Sequence, residues 1–306
     1  MQFRLDDLVT EQVNPRSQHI DLLATDDILS LINDEDQKIA DVIKLLIPTI
    51  TQSVEMIVDS LSCGGRLFYV GAGSSGRIGL LDALEMPPTY GVNRDMFQGI
   101  LAGGHQATFN PDESVEDNRE LGALEMKSHH IGSLDVVIGI AASGRTPYVL
   151  GAMEYARAAG AKVIGLTNNP NTPMSQIAHL VIEAVTGPEI VQGSTRMKSG
   201  TAQKMILNML STASMIRLGK VYQNLMVDVK ADNGKLVHRA KRILKIATHA
   251  DDQIVDQAFE EAGGYVKTAI VMILAQVNRP QAEQLLQQNN GFLRKAVEQA
   301  NHKQKN

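Results

Sequence analysis

Three segments of the chain combine glycine with small hydroxyl side chains. They read GAGSSGR at 71–77, AASGRTP at 141–147 and GSTRMKSG at 193–200. Glycine lets a ligand approach the backbone closely, and hydroxyls and free N–H groups donate hydrogen bonds to phosphate oxygens. Each segment precedes a stretch of helical periodicity, so a helix N-terminus would add partial positive charge. If only one loop had this composition, helix capping alone would explain its hydroxyls and glycines. Three loops with the same composition instead predict a site for a phosphate monoester.

The first segment also spells the dinucleotide-binding pattern G-x-G-x-x-G, at Gly71, Gly73 and Gly76. That fold requires an acidic residue about twenty positions later, at the end of the next strand. Here the next apolar run, 97–101, is followed by Ala-Gly-Gly, and Asp95 precedes it. A Gly-Lys-Ser/Thr motif for a nucleoside triphosphate is also missing from the sequence. The pattern therefore favours a sugar phosphate over a nucleotide.

The elements that position these loops are predicted from alternating apolar runs and helical patterns. The expected strands cover 67–70, 97–101, 136–140, 163–166 and 180–182, and the expected helices between and after them cover 76–84, 112–127, 147–159 and 199–218. Alternation of this kind predicts a parallel sheet with helices on both faces, an α/β fold of three layers. Ligands of such sheets bind at the carboxyl ends of the strands, where the three loops fall.

Two helical regions flank this alternation. A long helix is expected from 33–36 to Leu61, kinked at Pro48 and ended by Gly64–Gly65. After residue 233 the pattern is helical only, at 236–247, 251–262, 266–277, 280–288 and 291–299. We therefore expect three regions: an N-terminal segment with its helix (1–62), a phosphosugar-binding domain (63–232) and a small all-helical C-terminal domain (233–306).

Composition narrows the classes of partner. The 306 residues carry a formal net charge of −5 and a pI near 5.9, which argues against nucleic acid or an anionic membrane as a partner. Cys63 is the only cysteine, and the sequence has neither an apolar signal core nor a run of membrane-spanning length. The eight histidines lack metal-ligand spacing. The expectation is a cytoplasmic protein that uses no metal.

The paired loops resemble the sugar isomerase (SIS) domain, a five-stranded parallel αβα sandwich that binds phosphosugars. Further motifs resemble the N-acetylmuramic acid 6-phosphate etherase family over nearly the whole chain. They are TEQVNPRSQHID, INDED, GGRLFYVGAGSSGRIGLLDALEMPPTYG, VEDNRE, GIAASGRTPYV, GPEIVQGSTRMKSGTAQKMILNMLSTASM and, at residues 290–296, NGFLRKA.

The resemblance implies cleavage of the D-lactyl ether at carbon 3 of the sugar phosphate, without a cofactor. It implies that Glu85 protonates the departing lactate and later activates water, and that Glu116 removes the proton at carbon 2. To donate a proton at neutral pH the carboxyl of Glu85 must stay protonated, which burial would favour. Without the resemblance, Glu85 would be an ordinary glutamate at the end of a helix that Pro87–Pro88 terminate. Glu116 would be one of several acids in the first turns of a helix.

The resemblance also implies the residues that bind the phosphate and the sugar. The first loop would contribute Gly73, Ser74, Ser75 and Gly76, the second Ser143, Gly144, Arg145 and Thr146, and the third Ser194, Thr195 and Lys198. Glu189, close to the third loop, is a weaker candidate. SIS domains commonly pair and the helix at 201–218 is too apolar to face water, so we expect a homodimer. Residues 14–21 would then reach over the partner's site.

Two other functions fit the same loops. An aldose–ketose isomerase for a phosphosugar would also remove a proton beside a carbonyl, and a pair of glutamates suits either reaction. A phosphosugar-sensing regulator would bind the sugar phosphate and leave it intact. Release of lactate distinguishes the etherase from both.

Overall fold

The computed structural model describes residues 8–108, 113–228 and 234–304. The chain forms two compact units. The first comprises Met1–Leu84 and Arg94–Ser211, and the second comprises Glu85–Asn93 and Thr212–Asn306. The predicted boundary between residues 232 and 233 lies outside the described residues, as do Asp112, the first residue of a predicted helix, and residues 1–7 of the predicted N-terminal segment.

A five-stranded parallel sheet forms the centre of the first unit, which confirms the predicted fold class. The strands are β1 (Leu67–Gly71), β2 (Phe97–Leu101), β3 (Val136–Ile140), β4 (Lys162–Thr167) and β5 (Leu180–Glu183), in the spatial order β2-β1-β3-β4-β5. Every residue of β1 and β3 is buried. Continuous apolar strands of this kind are typical of a parallel sheet covered on both faces.

Helices connect the strands. They are α1 (Thr25–Ser62), α2 (Gly73–Tyr90), α3 (Arg119–Ser128), α4 (Pro147–Ala158), α5 (Met174–Ile177) and α6 (Lys198–Arg217). Phe68 and Val70 of β1 share a buried cluster with Tyr148 of α4. Tyr69 points to the opposite face, where its hydroxyl donates to Asp82 of α2 at 2.9 Å. The sheet therefore has helices on both faces.

Three helix boundaries differ from the prediction by six residues or more. α1 begins at Thr25, eight residues or more before the predicted start, because Asp26 and Asp27 supply acids that suit a first helical turn. It includes Pro48, where the sequence predicts a kink and not an end.

Pro87 and Pro88 do not end α2, which continues to Tyr90. The turn that follows is closed by Gly91, whose φ of +62° favours glycine and whose N–H donates to the carbonyl of Pro87 at 2.9 Å.

The predicted helix at 112–127 is also shorter. A 3₁₀ turn covers Glu113–Val115, and α3 begins only at Arg119, where the side chain of Asn118 accepts a hydrogen bond from the N–H of Leu121. Glu116 therefore lies in the turn before the helix and not in its first turns.

The second unit contains a two-stranded hairpin and five helices among the described residues. The hairpin joins β6 (Val221–Tyr222) to β7 (Leu225–Met226) and was not predicted. The helices are α7 (Gly234–Thr248), α8 (Asp252–Glu261), α9 (Val266–Ala275), α10 (Arg279–Gln288) and α11 (Leu293–Gln304). They pack around buried apolar residues that include Phe259, Ile270 and Leu285.

None of the described helices is both long enough and apolar enough to cross a membrane.

Candidate functional site

The first glycine-rich loop makes a tight turn from β1 into α2. A Cβ atom on Gly76 would lie 2.4 Å from the carbonyl oxygen of Gly71, so only glycine permits this approach. Gly73 has a φ of +51°, in the left-handed region that also favours glycine. Ser74 is half-buried and Ser75 is buried. The turn places the first N–H groups of α2, which have no partner within the helix, at the carboxyl end of β1.

Glu116 lies against this loop. Its Oε1 is 3.2 Å from where a Cβ on Gly73 would be. Its backbone carbonyl accepts a hydrogen bond from the N–H of Tyr148, in the first turn of α4, at 3.0 Å. The structure therefore brings the predicted base to the first loop and bonds its backbone to the helix that follows the second.

The second loop is held by the ends of β3 and β4. The carbonyl of Ala142 accepts hydrogen bonds from the N–H of Asn168 at 3.0 Å and the side-chain amide of Asn169 at 2.9 Å. Gly144 has a φ of +63°, and a Cβ there would lie 2.4 Å from Oγ1 of Thr172. Three predicted binding residues of this loop are half-buried: Ser143, Arg145 and Thr146. The oxygen of Ser143 accepts from the N–H of Arg145 at 3.2 Å.

The third loop differs from the first two because the protein itself occupies the end of its helix. The buried carboxylate of Glu189 accepts hydrogen bonds from the N–H groups of Lys198 at 3.0 Å and Ser199 at 2.9 Å. An anion position at the N-terminus of α6 is therefore filled by a side chain. Ser194 and Thr195 lie half-buried in the turn before it.

Lys198 is buried in an ion pair. Its Nζ lies 2.7 Å from Oε2 of Glu35, a buried residue of α1, and 3.0 Å from the carbonyl of Thr186. Arg16 and Lys38 also pair with Glu35. Burial opposes the ionisation of Glu35, but hydrogen bonds from these three cations outweigh it and lower its pKa to about 2. The ammonium of Lys198 thus binds within the protein, and the substrate contact predicted for it finds no support here.

Residues 8–17, which we call the N-terminal strap, make contacts that the sequence did not indicate. The N–H of Val9 donates to the side-chain oxygen of Asn169 at 2.7 Å, and the amide of Asn169 donates to Oγ1 of Thr10 at 3.0 Å. Asn169 also donates to the carbonyl of Ala142 in the second loop. Asn169 therefore connects the strap to the predicted phosphate site.

Further along, the strap binds the segment before the third loop. The amide of Asn14 donates to the carbonyl of Pro188 at 3.3 Å, and the hydroxyl of Ser17 donates to the carbonyl of Ile190 at 2.7 Å. These residues of the strap bind their own chain. That residues 14–21 reach over a partner's site stays a prediction. The sequence signal for this segment is the motif TEQVNPRS, which belongs to the family resemblance described above.

Glu85 belongs to the second unit and is exposed in this chain. The burial expected for a proton donor is therefore not observed. Leu84, which precedes it on α2, is 63% exposed, and Leu81 is 48% exposed.

Metal ligands are not clustered anywhere in the residues that the structure describes: no three His, Cys, Asp or Glu side chains lie where they could hold an ion.

Two SIS-domain family models each match a part of the chain. Residues 49–157 match the glucokinase regulatory protein N-terminal SIS domain family, and residues 115–213 match the SIS domain family. A solved structure of a phosphoheptose isomerase from Francisella tularensis is 20% identical, covers 62% of this chain and 99% of its own, and has a TM-score of 0.46.

Curated relatives are much more similar. The N-acetylmuramic acid 6-phosphate etherase of Photorhabdus laumondii is 52% identical over 297 residues, which cover 97% of this chain and 99% of the relative. The enzyme of the same name from Aeromonas hydrophila is 52% identical over 293 residues, or 96% of this chain and 98% of the relative. Identity at about half of all positions over nearly the full length of both chains shows that this protein belongs to the N-acetylmuramic acid 6-phosphate etherase family.

Proposed function

We propose that this protein cleaves the D-lactyl ether of N-acetylmuramic acid 6-phosphate and yields N-acetylglucosamine 6-phosphate and D-lactate. The observation that carries the proposal is 52% identity to curated etherases over 97% of the chain. The position of Glu116 against the first loop supports it, because a base there would stand beside a sugar whose phosphate that loop binds.

The reaction needs two proton transfers because the lactyl alkoxide, which departs when the ether bond breaks, is strongly basic and therefore a poor leaving group. In the open-chain sugar, the aldehyde at carbon 1 acidifies the hydrogen on carbon 2. A base takes that proton, the electron pair forms a carbon 2–carbon 3 double bond, and the carbon 3–oxygen bond breaks. An acid protonates the departing lactyl oxygen, and water then adds at carbon 3. This scheme is general acid–base catalysis and requires no cofactor.

In this scheme Glu116 is the base and Glu85 is the acid that later activates water. The half-buried position of Glu116, beside the amides at the start of α2, suits a base that acts on a sugar phosphate bound there. Glu85 is exposed, so its role requires a change of surroundings when substrate or a second subunit binds.

The first two loops are the proposed phosphate site. Their binding residues are Gly73, Ser74, Ser75, Gly76, Ser143, Gly144, Arg145 and Thr146. Ser194 and Thr195 are proposed to contact the sugar. Glu189 occupies the helix end of the third loop, which leaves the phosphate to the first two.

We also propose that the protein acts as a homodimer in the cytoplasm. The helix at 201–218 gives this proposal only limited support, because Ile206, Leu207 and Leu210 are buried within the chain and Ile216 is 50% exposed. Leu81 and Leu84, both exposed on α2, also support a dimer, because a second subunit that covered them would also reduce the exposure of Glu85. A lone cysteine is consistent with a reducing compartment.

The test is an assay of products. The purified protein is incubated with N-acetylmuramic acid 6-phosphate, and D-lactate is measured with a lactate dehydrogenase specific for the D-isomer. Equal amounts of D-lactate and N-acetylglucosamine 6-phosphate are expected. Binding of the substrate by folded protein without release of lactate would overturn the proposal.

A further inference from the structure

The backbone of Glu116 is hydrogen-bonded to the start of α4. Tyr148, the second residue of that helix, follows Pro147 at its first position, and a helix leaves the N–H groups of its first turn without a partner inside it. The carbonyl of Glu116 accepts the N–H of Tyr148 at 3.0 Å. The side chain of Thr146, the residue before the helix, makes no capping hydrogen bond. Glu116 thus supplies a partner for the start of α4, and α4 in turn holds the position of Glu116.

The side chain of Tyr148 makes a second connection, to α3. Its hydroxyl donates to Oε2 of Glu125 at 2.5 Å. The ring is completely buried. Burial is the main cause that raises the pKa of Tyr148, and the carboxylate of Glu125 is the second, so the phenol remains a proton donor. α3 begins three residues after Glu116, so this bond fixes the helix that continues from the Glu116 segment.

α3 and α4 pack so closely that these hydrogen bonds can form in only one relative position of the two helices. A Cβ on Gly122 of α3 would lie 2.0 Å from the carbonyl oxygen of Tyr148, and one on Gly151 of α4 would lie 2.0 Å from that of Arg119. The two helices therefore touch backbone to backbone, and a shift of one along the other would displace the turn that carries Glu116.

We propose that Tyr148 is a positioning residue for Glu116: its N–H fixes the backbone of the base, and its hydroxyl fixes α3, the next element after the base. This inference rests on the proposed function, in which Glu116 removes the proton at carbon 2. Tyr148 does not contact the substrate in this account. Its loss should slow proton removal and leave the binding of the phosphosugar unchanged.

The experiment compares Tyr148→Phe with Tyr155→Phe, the same change two turns later on α4. Tyr155 is half-buried and lies outside the site. For each variant we would measure kcat, KM and the rate at which the hydrogen on carbon 2 exchanges in deuterium oxide. Tyr148→Phe should lower kcat and the exchange rate together by about tenfold, with KM within about twofold. Tyr155→Phe should match the wild type.

A second pair of variants tests the acceptor without a change at Tyr148. Glu125→Leu removes the carboxylate and should reproduce the loss in Tyr148→Phe. Glu125→Gln keeps an oxygen acceptor and should restore most of the exchange rate. Each variant is compared at equal folded fraction, measured from its thermal transition.

The outcomes separate the two proposals. A wild-type protein that releases no lactate would overturn the proposed function, and the role of Tyr148 with it. An active wild type with folded Tyr148→Phe and Glu125→Leu variants of unchanged exchange rate would overturn only the role of Tyr148. A rise in KM at constant kcat would do the same.

Discussion

At the scale of single residues, Glu116 and Glu85 differ in their surroundings. Glu116 is half-buried, with Oε1 close to Gly73 and its backbone bonded to α4, whereas Glu85 is exposed. Spacing alone could not separate Glu116 from its acidic neighbours, because Glu113, Asp117 and Glu120 lie in the same stretch of sequence. The fold shows that the side chain of Glu116 reaches the first glycine-rich loop.

The first prediction concerns Glu116→Gln, which keeps the size of the side chain and removes its basicity. Loss of a general base lowers a rate by about 10²- to 10⁴-fold, so kcat for lactate release should fall within that range with KM little changed. The exposed Glu120→Gln, four residues later, is the matched control and should retain wild-type kcat. An equal fall in both variants would contradict the role of Glu116.

The second prediction concerns Gly73→Ala. Alanine at this position would have to adopt a φ of +51°, which residues with a Cβ atom rarely do. Its methyl group would lie 3.2 Å from Oε1 of Glu116. We expect a loss of about 1 kcal/mol in the free energy of unfolding and a KM that rises several-fold, because the loop and the base must both shift. Gly132→Ala is the control, since a Cβ there meets no atom within 4 Å. A Gly73→Ala protein with unchanged KM would remove this loop from the phosphate site.

At the scale of elements, the strands and the three loops were predictable, because a buried parallel strand is a continuous apolar run and each loop follows one. The end of α2 was not predictable, since Pro87 and Pro88 normally stop a helix. The cap of α6 by Glu189 and the strap on Asn169 were also missed. The strap contacts Asn169 across 159 or more positions of sequence, and Glu189 lies in a loop with no periodicity, so neither leaves a local pattern.

The third prediction concerns the ion pair between α1 and α6. The folded pKa of Glu35, about 2, is below its ordinary value of 4.5, so the ionised carboxylate stabilises the fold above pH 4.5. That stability is lost as the pH falls through 4.5 towards 2, and it amounts to about 3 kcal/mol.

Chemical denaturation of wild type and Glu35→Gln at several pH values tests this linkage. The variant should be less stable at pH 7, because it leaves the buried ammonium of Lys198 without its carboxylate. The difference between the two proteins should shrink between pH 5 and pH 3. Asp34→Asn is the control, because Asp34 is an exposed partner of Arg16. A difference that stays constant over this range would contradict the lowered pKa of Glu35.

At the scale of the whole molecule, the proposed dimer gives the fourth prediction. Leu84→Glu places a charge on an exposed apolar position of α2, where burial against a second subunit would cost several kcal/mol. Sedimentation equilibrium should show weaker self-association, and activity should fall at low protein concentration. Leu124→Glu, 59% exposed on α3, is the control. Unchanged association of Leu84→Glu would place the dimer contact elsewhere.

The reaction in water enriched in heavy oxygen is the decisive experiment for the proposed elimination. D-lactate should leave unlabelled, and the label should enter at carbon 3 of N-acetylglucosamine 6-phosphate, because the carbon 3–oxygen bond breaks and water adds to the double bond. Label in the hydroxyl of the lactate, with none at carbon 3, would mean that the other carbon–oxygen bond of the ether breaks. That result would contradict elimination by Glu116 and Glu85.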